Sequence, residues 1–418
     1  MNNSNVIKNI VALTFLQLSN YIVPLMAWPL LARTLGIEQF GLLMMLFAIC
    51  SMANVFTDFG FNLSATHKIA QFTNDKEYVG QLLGNIFFIK VIFAIIASII
   101  TYIYIDLSLF SQEDTLLDYI SILLIMFIIF SQSIHCIWFF QGIEKMKYIT
   151  KINIIAKLGY VFLLFFSFLF FQSINIALFC FFITQLFISF LFIRCIYKEK
   201  FYILPPKMNM IYKELQHSFS FFTSRVAVSI YTLCNTLILG YFSGVTMVGL
   251  YSSAEKVYQA GNGLVGVVSQ ALFPYSVRTK NIQLLFKISS VMFFIVSISS
   301  YIISFFSADI MGILFGDNFR DSGRLLNIFL VILTFSSISM IMGYPMFSAL
   351  NSVKWANYTV IFGAVFHLIG IVCLVTMKVI TIENVLFLTL ITEVLVFVLR
   401  ISCACFLYRR NNKCLKLT

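Results

Sequence analysis

Residues 138–157 read WFFQGIEKMKYITKINIIAK. An aromatic helix end gives way to a basic turn around Lys145 and Lys147, and a second apolar helix starts near Ile152. Lys157 sits inside that second helix. On a soluble protein it would pass as a surface residue. In hydrocarbon an ionised side chain costs roughly 2.5 kcal/mol or more even on lenient insertion scales, so a cation kept there needs an internal partner or a function. The reading of the stretch therefore turns on whether the chain lies in a membrane.

Composition decides this. Of 418 residues, 60% are hydrophobic and 11% charged, with a mean hydropathy of +0.95; soluble domains carry about 25% charged residues. The chain reads as an integral membrane protein, all-α. With about 20 apolar residues per span, twelve transmembrane helices are expected, at 10–32, 40–63, 82–105, 117–141, 152–171, 175–197, 217–242, 248–274, 284–306, 323–350, 355–377 and 384–407. The runs are too long for barrel strands and lack period-two alternation. No cleavable signal is expected, because the first apolar run is a full span without a small-residue cleavage site after it.

The net charge of +11 could suggest nucleic acid. The basic residues, however, lie in short turns between apolar runs, so they orient the chain instead and no nucleic acid is expected as a partner. With both termini in the cytoplasm, the outer connections hold Arg33, Arg320, Arg324 and Lys378. Most of the rest fall inside, among them Lys145, Lys147, Lys151, Lys198, Lys200, Arg278, Lys280, Arg409 and Arg410. The outer connection from Asp106 to Asp118, with Glu113 and Asp114, has no Lys or Arg. Nine cysteines without paired spacing read as small hydrophobes.

The connection at 198–216, with Pro205 and Pro206, reads as a cytoplasmic linker between two six-helix bundles, 1–197 and 217–418. GIEQFGL at 36–42 matches GVTMVGL at 244–250, 208 residues on and at the same topological position. The expected architecture is thus two pseudo-symmetric bundles around a central cavity. No connection is long enough for a catalytic domain, and no GxxxxGK[ST] phosphate loop or HExxH run is present, so neither a built-in ATPase nor a metal is expected.

Attention then falls on polar residues inside spans. Lys90, Lys157, Arg225 and Arg400 lie on the order of 8 to 12 Å inside the cytoplasmic boundary at ~1.5 Å per residue, and Asp58 shares that depth. Snorkelling is the alternative reading, and it is preferred for Arg194. Residues at i, i+4, i+7 and i+11 share a helix face. That spacing gives Arg225, Ser229, Thr232 and Thr236 on one helix and Tyr251, Glu255, Tyr258 and Asn262 on the next. Shifted back by 208, the stripes fall on Gln17, Tyr21, Pro24 and Trp28, and on Leu43, Phe47, Cys50 and Asn54. Such stripes line an interior, or serve as hydrogen-bonding glue between helices. Lys90, Lys157, Arg225 and Arg400 are candidates for binding an anionic substrate, and Tyr251, Tyr258 and Asn262 for binding a sugar. Asp58, Glu255 and Glu393 are candidates for ion coupling, or fixed ion-pair partners: Asp58 for Lys90, Glu393 for Arg400. His135 and His367 read as packed rather than ligating.

RTLGIEQFG (33–41), DFGFNLSATHKIA (58–70) and the opening stretch resemble the hallmark segments of Wzx-type O-antigen flippases. These form the polysaccharide transport branch of the multidrug/oligosaccharidyl-lipid/polysaccharide (MOP) exporter superfamily. The resemblance implies translocation of an undecaprenyl-diphosphate-linked oligosaccharide from the cytoplasmic to the periplasmic leaflet of a bacterial inner membrane. Alternating access, an H+ or Na+ gradient as the driving ion, and no other cofactor go with it. It marks Asp58, Lys68 and Lys157 as motif positions and implies an O-antigen polymerase and a chain-length regulator as partners beside the lipid bilayer. His67 departs from the arginine of many relatives. The competing readings are a multidrug-type exporter of the same fold, which would want acids where this chain has cations, and a glycan polymerase or ligase, which would want a large outer loop.

Overall fold

A computed structural model describes the backbone of residues 3–108 and 118–415, and their side chains except 3–25, 224, 227, 228, 230–232, 274 and 411–415. Gln17, Tyr21, Pro24, Thr232, Glu113 and Asp114 lie outside this set. The described chain is helical, with no strand, and forms two units, Met1–Ser229 and Ile230–Thr418.

The first unit holds α1 (Asn3–Asp58), α2 (Phe61–Gln71), α3 (Lys76–Ser108), α4 (Tyr119–Ser133), α5 (Ile137–Gly142), α6 (Met146–Phe168), α7 (Ile174–Lys198) and the start of α8 (Met208–Ser243). The second holds the rest of α8, then α9 (Val245–Thr279), α10 (Ile282–Phe305), α11 (Ser307–Phe315), α12 (Ser322–Met342), α13 (Tyr344–Ala349), α14 (Lys354–Thr376) and α15 (Ile382–Leu415).

The opening stretch is the heart of the first unit. Its WFFQG closes the span Tyr119–Gly142, which is broken within: α4 stops at Ser133, and α5 is a separate short helix carrying Trp138, Phe139 and Phe140, all fully buried. Phe140 stacks on Phe192 of α7 at 5.5 Å, and Phe139 meets Phe201 edge-on at 5.2 Å. In the basic turn Lys145 pairs with Glu199. Partial burial raises that carboxyl, and hydrogen bonds from Lys145 and Tyr148 outweigh the effect and hold it below the usual carboxylate range.

Residues 198–216 do not hang free. Leu204 N–H donates to Gly80 O at 3.1 Å, Gln81 Nε2 to Pro205 O at 2.6 Å, and Lys207 N–H to Asn85 Oδ1 at 2.8 Å. Gly80 and Gly84 leave α3 bare there; a Cβ on Gly84 would lie 1.7 Å from Leu204 O. Lys68 of α2 adds an ion pair to Glu214 at 2.7 Å. The stretch is thereby part of the first unit, and the division falls inside α8 at Ser229.

Among the described residues nine helices are long and apolar enough to cross a membrane, against the twelve expected. Among the described residues Met26–Gln71 runs as one stretch through Gly36, α8 holds the shorter apolar run Leu233–Ser243, and α9 carries the polar stripe along its length. The protein is a multi-pass membrane protein.

The repeat is visible in the backbone. Gly36 has φ 76° and ψ 176°; Gly244, 208 residues on, has φ 86° and ψ 164°. This region is essentially restricted to glycine, and other residues held there cost about 1–3 kcal/mol. The later elements keep step: α5 and α13 start at Ile137 and Tyr344, α6 and α14 at Met146 and Lys354, α7 and α15 at Ile174 and Ile382. Nothing lies within 4 Å of a Cβ built on either glycine, so an alanine there meets only backbone strain. Gly36→Ala and Gly244→Ala should each destabilise the purified protein by about 1–3 kcal/mol in thermal unfolding in detergent. Gly159→Ala, in helical backbone with equal room, should be neutral or better.

Candidate functional site

The second unit carries a half-open cavity of about 420 Å³. This lies within the roughly 300–1,000 Å³ typical of ligand sites. Two helices supply most of its polar groups, and each sets four lining residues at one spacing. From α9 come Tyr251, Glu255, Tyr258 and Asn262; from α15 come Thr389, Glu393, Val396 and Arg400. Both sets follow i, i+4, i+7, i+11, so each is one face of a helix turned inward. α12 closes the wall with Phe329, Ser336 and Ser339.

The aromatic part of the wall is rigid. Tyr258 stacks on Phe329 at 5.2 Å and 24°, and Tyr251, fully buried, packs against the same ring at 5.5 Å. Ser336 Oγ donates to Asn262 Oδ1 at 3.1 Å. Asn235 of α8 is held from behind: its Nδ2 donates to Thr389 Oγ1 at 3.0 Å, and its Oδ1 accepts from His367 Nε2 at 2.9 Å. Because Oδ1 can only accept, His367 is the donor there. Its Nδ1 lies 3.1 Å from Thr392 Oγ1. His367 is a packed, hydrogen-bonded residue that orients a lining amide.

Arg400 is held by the broken helix beside it. α12 ends at Met342, and carbonyls in a last helical turn lack helical partners and carry the negative end of the dipole. Arg400 Nη1 donates to Ser339 O and to Ser339 Oγ (3.1 Å), and Nε to Thr359 Oγ1 at 3.3 Å. The guanidinium occupies the space over Gly343, where a Cβ would sit 3.0 Å from Nη1.

Six of the ten candidate residues therefore line one cavity: Tyr251, Glu255, Tyr258, Asn262, Glu393 and Arg400. The other four lie elsewhere. Lys90, 2% exposed, donates from Nζ to His135 O at 3.0 Å within the first unit. Asp58, 4% exposed, acts on it electrostatically and keeps Oδ2 without a hydrogen-bond partner. Lys157 on α6 is half-buried, and Arg225 on α8 is exposed. Lys68, a motif position, is spent on Glu214. The sequence reading missed Asn235, Gln259, Gln270 and Thr389 in the cavity wall. Thr389 was within reach, since it lies one turn before Glu393 on the face shared with Arg400.

The fold is that of MOP superfamily transporters. A multidrug resistance MATE family transporter in an inward-facing conformation superposes with a TM-score of 0.73 over 95% of this chain and 99% of its own, at 14% identity. The lipid II flippase MurJ in an inward closed conformation gives 0.74 over 95% and 87%, at 17% identity. Residues 6–280 match the polysaccharide biosynthesis protein family, and the chain belongs to that family. Two relatives carry the name "Putative O-antigen transporter". The one from Escherichia coli (strain K12) is 30% identical over 274 residues, a match covering 64% of each chain. The one from Shigella dysenteriae is 26% identical over 372 residues, covering 87% of this chain and 91% of its own.

Lys90 and Asp58 act on each other electrostatically rather than through a direct ion pair, so the cost of removing one lies below the about 3–5 kcal/mol of a broken contact pair. Lys90→Met should destabilise the protein by about 1–3 kcal/mol, and adding Asp58→Asn should recover part of the loss. Thermal unfolding of the two single variants and the double variant tests the coupling; additive effects would show that the two charges do not act on each other.

Proposed function

We propose that the protein is a flippase that moves an O-antigen oligosaccharide linked to undecaprenyl diphosphate from the cytoplasmic to the periplasmic leaflet of a bacterial inner membrane, with both termini in the cytoplasm. The observation that carries this reading is the second-unit cavity. It pairs stacked aromatic rings with amides, hydroxyls and carboxylates, which suits a sugar with its apolar ring faces and many hydroxyls. Membership of the polysaccharide biosynthesis family and the names of the two relatives support the same substrate class.

In this reading the diphosphate meets the accessible cations of the first unit, Lys157 and Arg225, while Lys90 is enclosed with Asp58. Transport by alternating access draws on an H+ or Na+ gradient, with Asp58, Glu255 and Glu393 as the carboxylates that take up the ion. The O-antigen polymerase and chain-length regulator act beside it on the exported unit. A multidrug-type exporter is the second reading, favoured by the two carboxylates in the cavity, which would suit a cationic drug.

Complementation of a flippase-null strain separates the two. The wild-type gene should restore surface polysaccharide without changing susceptibility to cationic drugs. At matched protein levels, Lys157→Ala and Arg225→Ala should each reduce surface polysaccharide severalfold. Lys157→Arg should be milder, because a positive potential is what a diphosphate needs. Full restoration by both alanine variants would remove these residues from the mechanism.

A further inference from the structure

We infer that the first unit carries a binding site for an anionic phospholipid on its bilayer-facing flank, where the start of α6 and the end of α7 present Lys147, Lys151, Arg194, Lys198 and Lys200. The two helices run antiparallel and touch along their length. Tyr148 hydrogen-bonds Glu199 at one end, Tyr160 meets Phe181 at 5.6 Å midway, and Cys180 Sγ donates to Ser167 Oγ at 3.5 Å near the other. That register sets the basic ends of the two spans side by side. Cys195 of α7 feels Lys198 and Arg194 of its own helix and Lys151 of α6, so cations of both helices surround one point. All five are exposed, and none pairs with a carboxylate among the described residues. The acids nearby are Glu199, already held by Lys145 and Tyr148, and Glu144 in the preceding turn.

Each set of cations continues into a stripe of exposed apolar side chains. On α6 Lys151 heads Ile155, Leu158 and Phe162; on α7 Arg194 heads Phe190, Phe187 and Ile183. Both follow the spacing of one helix face, so the cations stand at headgroup depth over surface that meets acyl chains. Basic residues also gather at one end of spans simply to orient a chain, and the repeat separates that effect from a site. Carried 208 residues on, to the start of α14 and the end of α15, the five positions are Trp355, Thr359, Ser402, Phe406 and Tyr408, with no cation among them. There the same seam is an apolar cavity of about 250 Å³, lined by Trp355, Ser402, Cys403, Phe406 and Leu407. The second unit's cations, Lys354, Arg409 and Arg410, stand at other positions of the repeat. Orientation asks for positive charge on one side of the membrane, not at these five positions. Clusters of four to eight Lys and Arg beside a span draw anionic headgroups, and a phosphate that carries acyl chains matches both the cations and the stripes. An open flank holds its ligand weakly, so by mass action its occupant is the lipid present in bulk around it.

The test titrates the purified full-length protein in detergent micelles with phosphatidylglycerol or with phosphatidylethanolamine and counts bound lipids by native mass spectrometry. Wild type should bind the anionic lipid about tenfold more tightly than the zwitterionic one. The Lys151→Gln, Arg194→Gln double variant should bind phosphatidylglycerol about tenfold more weakly, with phosphatidylethanolamine unchanged. Each single variant should lose about threefold, and either suffices if the double variant fails to fold. The Arg409→Gln, Arg410→Gln double variant, which removes equal charge from the second unit, should keep the preference. No preference in wild type, or an equal loss in the two double variants, would overturn the site in favour of charge spread over the surface. Excess polyprenyl diphosphate should leave the bound phosphatidylglycerol in place; displacement would assign the flank to a different lipid and overturn the proposal. Because binding is read without transport, each of these failures leaves the flippase reading standing.

Discussion

A polar group that these helices carry into an apolar surrounding costs free energy unless it finds a partner inside the protein, because no water is there to supply one. The structure answers this constraint locally and differently at each site. Lys90 uses the carbonyl of His135 and the field of Asp58. Arg400 uses the last-turn carbonyl of a helix that stops short. His367 uses an amide and a hydroxyl on neighbouring helices. Breaks in helices are part of the solution: α4 and α12 both end early and are followed by short helices, α5 and α13, and it is the end of α12 that gives Arg400 its acceptor.

The periodic features were legible in the sequence. Apolar runs gave the membrane class, and a spacing of i, i+4, i+7, i+11 placed Tyr251, Glu255, Tyr258 and Asn262 on one face, which the structure turns into one cavity. The match of Gly36, Gly41 and Leu42 to Gly244, Gly249 and Leu250 marked the repeat, and the first glycine of each set shares an unusual backbone conformation. Features that depend on tertiary contact were not legible. The run around Pro205 and Pro206 looked like a linker because its composition is that of one; only its bonds to Gly80, Gln81 and Asn85 make it part of the first unit. Depth along a span put Lys90 with Arg400 as a substrate cation. Depth fixes height but not direction, and the two side chains are consumed by different neighbours.

The repeat also shows how one backbone plan can carry two kinds of interior. Moving the cavity residues back by 208 places Phe47 for Glu255, Cys50 for Tyr258, Phe181 for Thr389, Gln185 for Glu393 and Phe192 for Arg400. In the first unit the ring of Phe47 lies 4.7 Å from that of Phe181 and 5.7 Å from that of Trp28, and Tyr160 reaches Phe181 at 5.6 Å. Phe192 packs under Phe140. At Phe47, Phe181 and Phe192 aromatic rings fill by dispersion and area what the second unit keeps polar, while Gln185 stays a buried polar group. An aromatic contact needs no hydrogen-bond partner and holds its helices together. A polar interior must satisfy each group or leave it for a ligand. The difference between the two interiors lies in side-chain chemistry, since both use the same glycine turn and the same order of helices.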